Sequence, residues 1–186
     1  RYGNVMCSRG SVIPLFIRQL KAGKPLTVTD PNMTRFMMTL DEAVDLVMYA
    51  FTKGRNGDLF VQKAPACTIE TLAKAVVKLY DAKVPVNVIG TRHGEKVYET
   101  LVTREEMTRA EDLGRYYRVA ADIRDLNYDK YLDKGDHKIT TAEEFHSHNT
   151  ERYDVDQMVE LLKTVKYIRE DMGLDPVQPG VLREEY

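Results

Sequence analysis

The chain has 186 residues, 43% hydrophobic and 30% charged, with a formal net charge of -2, an ordinary composition for a soluble globular protein large enough to bury a sizeable core. A sequence pI near 6.1 argues against the global basic field that holds nucleic acid or an anionic membrane. The longest apolar runs fall far short of the roughly 20 residues a membrane span needs.

Arg1 to Val5 reads as the last residues of a strand, spilling into the polar, glycine-containing loop that ends at Ser11. A helical period follows at Val12, Leu15, Phe16, Gln19 and Leu20, with Pro14 in its first turn and Gly23 closing it. Strand, loop with free amides and an arginine (Arg9), then helix N-terminus is how open α/β sheets build anion sites at their carboxyl edge. Leu26 to Thr29 alternates as a short strand, with Asp30-Pro31-Asn32 as its turn. Thr39 with Glu42 forms a capping box before Ala43, Val44, Leu46, Val47, Ala50 and Phe51, and Lys53-Gly54 ends that helix.

Asp58 to Gln62 predicts a strand, and Thr68 caps a third helix through Tyr80. Val86 to Ile89 is a further strand, broken at Gly90, and Thr103 with Glu106 makes a second capping box. Arg115 to Ala120 reads as a strand, and 122 to 149 as polar and irregular, with a charge-dense surface excursion from Asp129 to Lys138. Asp154 caps one long final helix to Met172, Gly173 stops it, and a tail with Pro176 and Pro179 follows. This alternation predicts an α/β fold: the trailing part of a doubly wound sheet plus a small α+β cap. The expected division is 1–66 for the end of the sheet interleaved with the first cap elements, 67–153 for the cap, and 154–186 for the final helix and tail.

Two loops offer guanidinium groups suited to bidentate phosphate recognition. One is Thr27-Val28-Thr29-Asp30-Pro31-Asn32-Met33-Thr34-Arg35-Phe36, the other Gly90-Thr91-Arg92-His93-Gly94-Glu95-Lys96. Each arginine reads equally as a solvated surface cation, and Glu95 either as a local ion-pair partner or as an acceptor for ribose hydroxyls. His146-Ser147-His148 has no ligand partner at metal spacing, so no metal site is expected. Cys7 and Cys67 read as reduced thiols in a cytoplasmic protein. The run from His148 to Arg152 reads as a polar connector that docks the last helix. No G-x-G-x-x-G, Walker loop or helical Tyr-x-x-x-Lys is present.

In order, Arg1-Tyr2-Gly3-Asn4-Val5, Ser8-Arg9-Gly10-Ser11-Val12-Ile13-Pro14, Thr29 to Phe36 and Arg92-His93-Gly94-Glu95-Lys96 resemble the extended short-chain dehydrogenase/reductase superfamily. More narrowly, they resemble the UDP-N-acetylglucosamine 4,6-dehydratases of bacterial surface-polysaccharide synthesis. The segment Ser147-His148-Asn149-Thr150-Glu151-Arg152 is similar to the capsule-type, 5-inverting branch. The resemblance implies the C-terminal half of a Rossmann-like, NADP- or NAD-dependent enzyme. Arg1 and Tyr2 would pass the nicotinamide. Asn4, Arg35 and Arg92 would face the substrate diphosphate, Val12 the uracil, Thr27 and Thr29 the base, and Glu95 the ribose, with Arg9 a further substrate-binding residue.

UDP-N-acetylglucosamine is the substrate the resemblance implies, and a homo-oligomer the expected assembly. The family's dinucleotide loop, catalytic lysine motif and acid/base pair precede the Arg1 strand, so no catalytic residue is expected within these 186 residues. A retaining dehydratase, a UDP-sugar 4-epimerase of the same superfamily, and a UDP-sugar-binding module without catalysis are the alternatives.

Overall fold

The computed structural model describes residues 1–121 and 142–174. The expected excursion from Asp129 to Lys138 and the proline-containing tail lie outside the described residues. In chain order the elements are α1 (Val12–Lys21), β1 (Leu26–Val28), β2 (Thr34–Phe36), α2 (Leu40–Lys53), β3 (Leu59–Gln62), β4 (Ala66–Thr68) and α3 (Ile69–Leu79). There follow β5 (Val86–Val88), β6 (Thr100–Val102), α4 (Arg104–Met107), β7 (Ala110–Asp112), β8 (Tyr116–Val119), β9 (Phe145–His146), α5 (Val155–Thr164) and α6 (Lys166–Asp171).

The strands pair in small groups. β1 and β5 run parallel, with Leu26 opposite Val86 and Val28 opposite Val88. β2 and β4 are antiparallel, as are β6 and β9, and β8 lies antiparallel between β3 and β7. Arg152 bridges to Ala66 on the other side of β4, and Tyr153 donates to the Ala66 carbonyl at 2.9 Å. The 150–153 segment thus lies along β4 and leads straight into α5, which packs on α3. The connector reading of that segment agrees with this placement.

The larger core joins α1, β1, α3, α5 and α6. Ile13, Phe16 and Ile17 of α1 meet Leu72, Ala73 and Val76 of α3 and Met158, Leu162 and Ile168 of the last two helices. Their spacing puts each set on one helical face. Burying each large side chain stabilises the fold by about 1.5–3 kcal/mol. A second core forms where Phe36, Val61, Leu101, Val102, Val119 and Phe145 come together.

The capping signals are fulfilled. Thr39 with Glu42 and Thr103 with Glu106 form reciprocal capping boxes, Thr68 caps α3, and Asp154 forms a further box with Gln157. Other expectations are corrected. Arg1 to Val5 is not a regular strand: it bonds to β3 through Arg1 and bridges to Met38 through Val5. Its passage needs Gly3, because a Cβ there would lie 2.4 Å from the Phe36 Cβ.

The final helix is broken at Val165, whose ψ of 120° is extended. The break turns α6 so that Asp171 accepts from Lys21 Nζ of α1 and from the Tyr80 hydroxyl after α3, each at 2.7 Å. Gly54 is extended rather than left-handed, and glycine is required there because a Cβ would sit 2.4 Å from the Ala50 carbonyl oxygen. The apolar run of α2 divides between two faces: Ala43 and Leu46 are buried, whereas Val44, Val47 and Phe51 are exposed. Among the described residues no helix is long and apolar enough to cross a membrane.

Candidate functional site

Because β1 and β5 are parallel, their carboxyl ends open on the same edge, the place where α/β sheets put ligand-binding loops. Thr29 follows β1, and the loop from Gly90 follows β5. The two join directly: Thr29 Oγ1 donates to Glu95 Oε1 at 3.0 Å. A tight turn closes over Glu95, with Glu95 N–H donating to the Arg92 carbonyl and Arg92 N–H donating to Glu95 Oε2, both at 3.2 Å. Each carboxylate oxygen therefore has one donor and retains a lone pair for another.

Arg35 comes to the same place on β2. Its guanidinium donates to the carbonyls of Lys96 at 2.7 Å, Thr34 at 2.8 Å and Val97 at 3.4 Å. The nearest carboxylate contact is Glu99, at 3.9 Å from Nε. Carbonyls orient a guanidinium without neutralising it, so Arg35 is held in place with its charge available to an anion. Met33 Sδ lies 3.7 Å from the Thr29 hydroxyl and 3.9 Å from Arg35 Nη2, bringing the two loops together. Arg92 is exposed, and among the described residues its guanidinium makes no hydrogen bond or ion pair.

Thr27 is held differently. Gln19 of α1 donates to its hydroxyl at 2.8 Å and accepts from its backbone N–H at 3.1 Å, so the amide side chain of Gln19 braces β1 from the side. The remaining predicted residues lie outside this group. Arg1 donates to Glu106 at 2.6 Å and to the Leu101 carbonyl, pulling the Glu106 carboxyl below its ordinary range. Tyr2, Asn4 and Arg9 are exposed, and Val12 is half-buried against the larger core. Among the described residues no hydrogen bond or ion pair joins Arg1, Tyr2, Asn4, Arg9 or Val12 to the Thr29, Arg35, Arg92 and Glu95 group.

Behind Arg35 lies a polar cluster from the last third of the chain. Ser147 and Thr34 are wholly buried, and Ser147 N–H donates to the Glu99 carbonyl at 2.9 Å. Tyr98 packs against both His146 and His148, with ring centroids 4.8 and 5.0 Å apart. Burial, followed by the charges of Arg152 and His146, pushes the His148 pKa below its ordinary value. Burial raises both thiols, Cys7 and Cys67, to about 12, which leaves them protonated and unreactive. Among the described residues no group of histidine, cysteine and carboxylate side chains could hold a metal ion. A groove of about 760 Å³ beside Lys78, Tyr153 and Gln157 includes none of the predicted site residues.

Residues 1–121 match the family described as polysaccharide biosynthesis protein, and residues 122–169 match the family described as polysaccharide biosynthesis protein C-terminal. The chain belongs to the polysaccharide biosynthesis protein family. Among relatives in this family, a protein of Rickettsia akari (strain Hartford) named UDP-glucose 4-epimerase is 57% identical over 172 residues, covering 92% of this chain and 50% of the relative. A protein of the same name from Rickettsia typhi (strain ATCC VR-144 / Wilmington) is 56% identical over the same length. The chain spans about half the length of the curated relatives it matches. A solved structure, that of Pen from Bacillus thuringiensis, is 32% identical with a TM-score of 0.71, covering 87% of this chain and 47% of that one. The relatives' printed name corresponds to the epimerase alternative, while the family description agrees with the expected place in polysaccharide synthesis.

The arginine loops and Glu95 were legible as motifs. Gln19, Thr34, Glu99 and Ser147 were not assigned to the site, because what places them there is contact with distant residues. The ordered segment from Ser147 to Arg152 was the only signal that could have pointed to that cluster.

Proposed function

We propose that this chain supplies the diphosphate- and ribose-binding face of a nucleotide-sugar-modifying enzyme of polysaccharide synthesis, acting on a UDP-sugar. The observation that carries this reading is the convergence of Thr29, Arg35, Arg92 and Glu95 at the carboxyl ends of β1 and β5. Two guanidinium groups suit a diphosphate, and a carboxylate with spare lone pairs suits a ribose diol. Asn4, Arg9, Val12 and Thr27 are further proposed substrate contacts, and the proposed division of the chain is 1–66, 67–153 and 154–186.

An NAD(P) cofactor supplies hydride acceptance and return when bound. Among the residues assigned to it, Tyr2 fits, because its ring is 51% exposed and free to pack on a flat group. Arg1 fits less well, because its guanidinium is engaged by Glu106 and Leu101. The reaction proposed is UDP-N-acetylglucosamine 4,6-dehydration with inversion at C5, supported by the Ser147 to Arg152 motif. A UDP-sugar 4-epimerase is the second reading, favoured by the name of the Rickettsia relatives.

The test of the binding face is calorimetric titration of UDP-glucose into the 186-residue chain. Arg35→Ala and Arg92→Ala should each weaken binding by about 1.5–3 kcal/mol, the scale of a charged hydrogen bond. Lys74→Ala, on the outer surface of α3, should leave it unchanged. Equal affinity in all four proteins would remove the diphosphate assignment.

A further inference from the structure

The cluster behind Arg35 is a chain of hydrogen bonds with a readable direction. Glu99 N–H donates to Ser147 Oγ at 3.0 Å. Ser147 Oγ lies 2.7 Å from Thr34 Oγ1 and 3.2 Å from the Thr34 carbonyl oxygen. Thr34 Oγ1 lies 2.8 Å from His148 Nδ1, and Arg152 Nη2 lies 3.2 Å from the same nitrogen.

Each hydroxyl has one proton to give. The guanidinium nitrogen of Arg152 can only donate, and its two protons reach the His148 carbonyl oxygen and His148 Nδ1, each at 3.2 Å, so Nδ1 presents a lone pair. The opposite polarity would set an imidazole N–H against a guanidinium N–H. Thr34 Oγ1 therefore donates to His148, Ser147 shares its one proton between Thr34 Oγ1 and the Thr34 carbonyl oxygen, and the imidazole is the neutral tautomer with its proton on Nε2. Burial and the Arg152 charge, which hold the ring's pKa below its ordinary value, favour the same state.

This relay ends at the two pieces that make the anion-binding face. Thr34 precedes Arg35, and its N–H donates to the Val97 carbonyl at 3.0 Å. Glu99 closes the 95–99 loop, whose Lys96 and Val97 carbonyls hold the Arg35 guanidinium and whose first residue is Glu95. Ser147 is tied to Glu99 through both its N–H and its hydroxyl. Among the described residues, the hydrogen-bonded route from His148 to Arg35 and the loop runs through Thr34 and Ser147, and Tyr98 of the same loop packs against the ring at 5.0 Å.

We propose that His148 is a positioning residue for the diphosphate-binding face, holding β2 and the 95–99 loop in register as the neutral acceptor at the end of the Ser147–Thr34 relay. The proposal rests on the reading of Arg35, Arg92 and Glu95 as nucleotide contacts. Protonating Nδ1 removes the acceptor, reverses the demand on Thr34 and sets a second positive charge against Arg152. Binding at the face then weakens in mild acid. The titratable and charged groups facing the ring are Arg152 and His146 from its own segment and Tyr98 from the loop after β5. Of the two imidazoles, His148 is the one hydrogen-bonded to Thr34.

The experiment uses the full 186-residue chain and UDP-glucose, whose diphosphate has no phosphate proton titrating near neutrality. Affinity is measured between about pH 8 and about pH 5, either side of the ordinary histidine value. Amide exchange at Glu99 is followed by NMR without ligand. His148→Asn places an amide oxygen where Nδ1 stands. It should bind within about threefold of the wild type at the upper pH and lose the wild type's excess weakening in acid. His148→Ala should bind about tenfold more weakly and exchange its Glu99 amide about tenfold faster, the scale of one lost buried hydrogen bond.

Should His148→Ala fail to fold, His148→Gln, whose amide reaches the Nε2 position instead, should show the same losses. An asparagine variant as impaired as the alanine or glutamine one, or an unchanged Glu99 exchange rate in those two variants, would overturn the proposal. The exchange result judges the relay by itself. Absence of UDP-glucose binding in the wild type, or indifference to Arg35→Ala, would overturn the nucleotide reading on which the proposed role rests.

Discussion

Thr29 and Glu95, one at the end of β1 and the other in the loop after β5, are joined by a hydroxyl-to-carboxylate bond of 3.0 Å. The bond locks the two loops at the edge of a parallel pair and orients a carboxylate whose other oxygen caps the Arg92 turn. Thr29→Val keeps the shape and removes the donor. A hydrogen bond to a charged group is worth about 1.5–3 kcal/mol when buried, and about 1 kcal/mol at a half-exposed site such as this. The expected outcome is a stability loss of about that size by urea denaturation, with UDP-glucose affinity reduced. Thr29→Ser should restore both. A Val variant as stable and as tight-binding as the wild type would mean that the bond does not organise the site.

Asp171 predicts how stability varies with pH. Burial raises the pKa of its carboxyl, but the Lys21 ammonium and the Tyr80 hydroxyl together outweigh burial, and the group titrates below its ordinary value of 3.8. Burial and the bond to Asp171 push the Tyr80 phenol above its ordinary value of 10.0. A carboxyl with a depressed folded pKa stabilises the fold above its unfolded value, and that contribution is lost as pH falls through the folded one. A phenol with a raised folded pKa stabilises below its unfolded value, and that contribution is lost as pH rises through the folded one. The cluster's contribution should therefore be flat from about pH 5 to about pH 9 and decline outside that range. Denaturant titrations of wild type and Asp171→Asn should differ most within that plateau and converge in strong acid. A gap that stayed constant into strong acid would count against the assignment.

Gly3 is a packing requirement rather than a flexible joint. A Cβ at this position would meet Phe36 Cβ at 2.4 Å, an atom fixed to the backbone of β2 that cannot swing aside. Overpacking of this kind costs about 1–3 kcal/mol, so Gly3→Ala should lower stability by that amount. Phe36→Gly, which removes the Cβ itself, should reduce the penalty in a double-mutant cycle, although Phe36 is itself fully buried. Additive losses in the cycle would place the strain elsewhere.

What could be read from the sequence was local. Thr39 with Glu42 and Thr103 with Glu106 lie three residues apart, and the structure forms both boxes. The arginine loops also stand out, because each opens at the end of a strand with a turn signal, Asp30-Pro31-Asn32 in one and Gly90 in the other. The three-residue strands β2, β4 and β6 are too short to show alternation and exist only because partners far along the chain pair with them. The same holds for the site. Thr34 lies 113 residues from Ser147, and no spacing rule connects them. The break at Val165 is invisible to a periodicity argument, because Met158, Leu162, Val165 and Ile168 keep helical spacing across it.

The two faces of α2 give the clearest separation between apolar character and contribution to folding. Leu46 is 3% exposed and packs with Phe60 and Tyr116, whereas Phe51 is 82% and Leu40 66% exposed on the same helix. With Val44, Val47 and Met48, those two residues line one side of the helix at spacings of three, four and one, and that side buries little. Hydrophobic stabilisation follows the area removed from water, so the exposed side adds almost nothing to the fold of this chain. Leu46→Ala should cost about 2–5 kcal/mol through lost burial and the cavity left behind. Phe51→Ser and Val47→Gln should each fall within about 0.5 kcal/mol of the wild type. Urea denaturation with two optical probes would show it, the slope against denaturant remaining unchanged in the surface variants. A loss of several kcal/mol on replacing Phe51 would mean that this side of α2 is covered in solution.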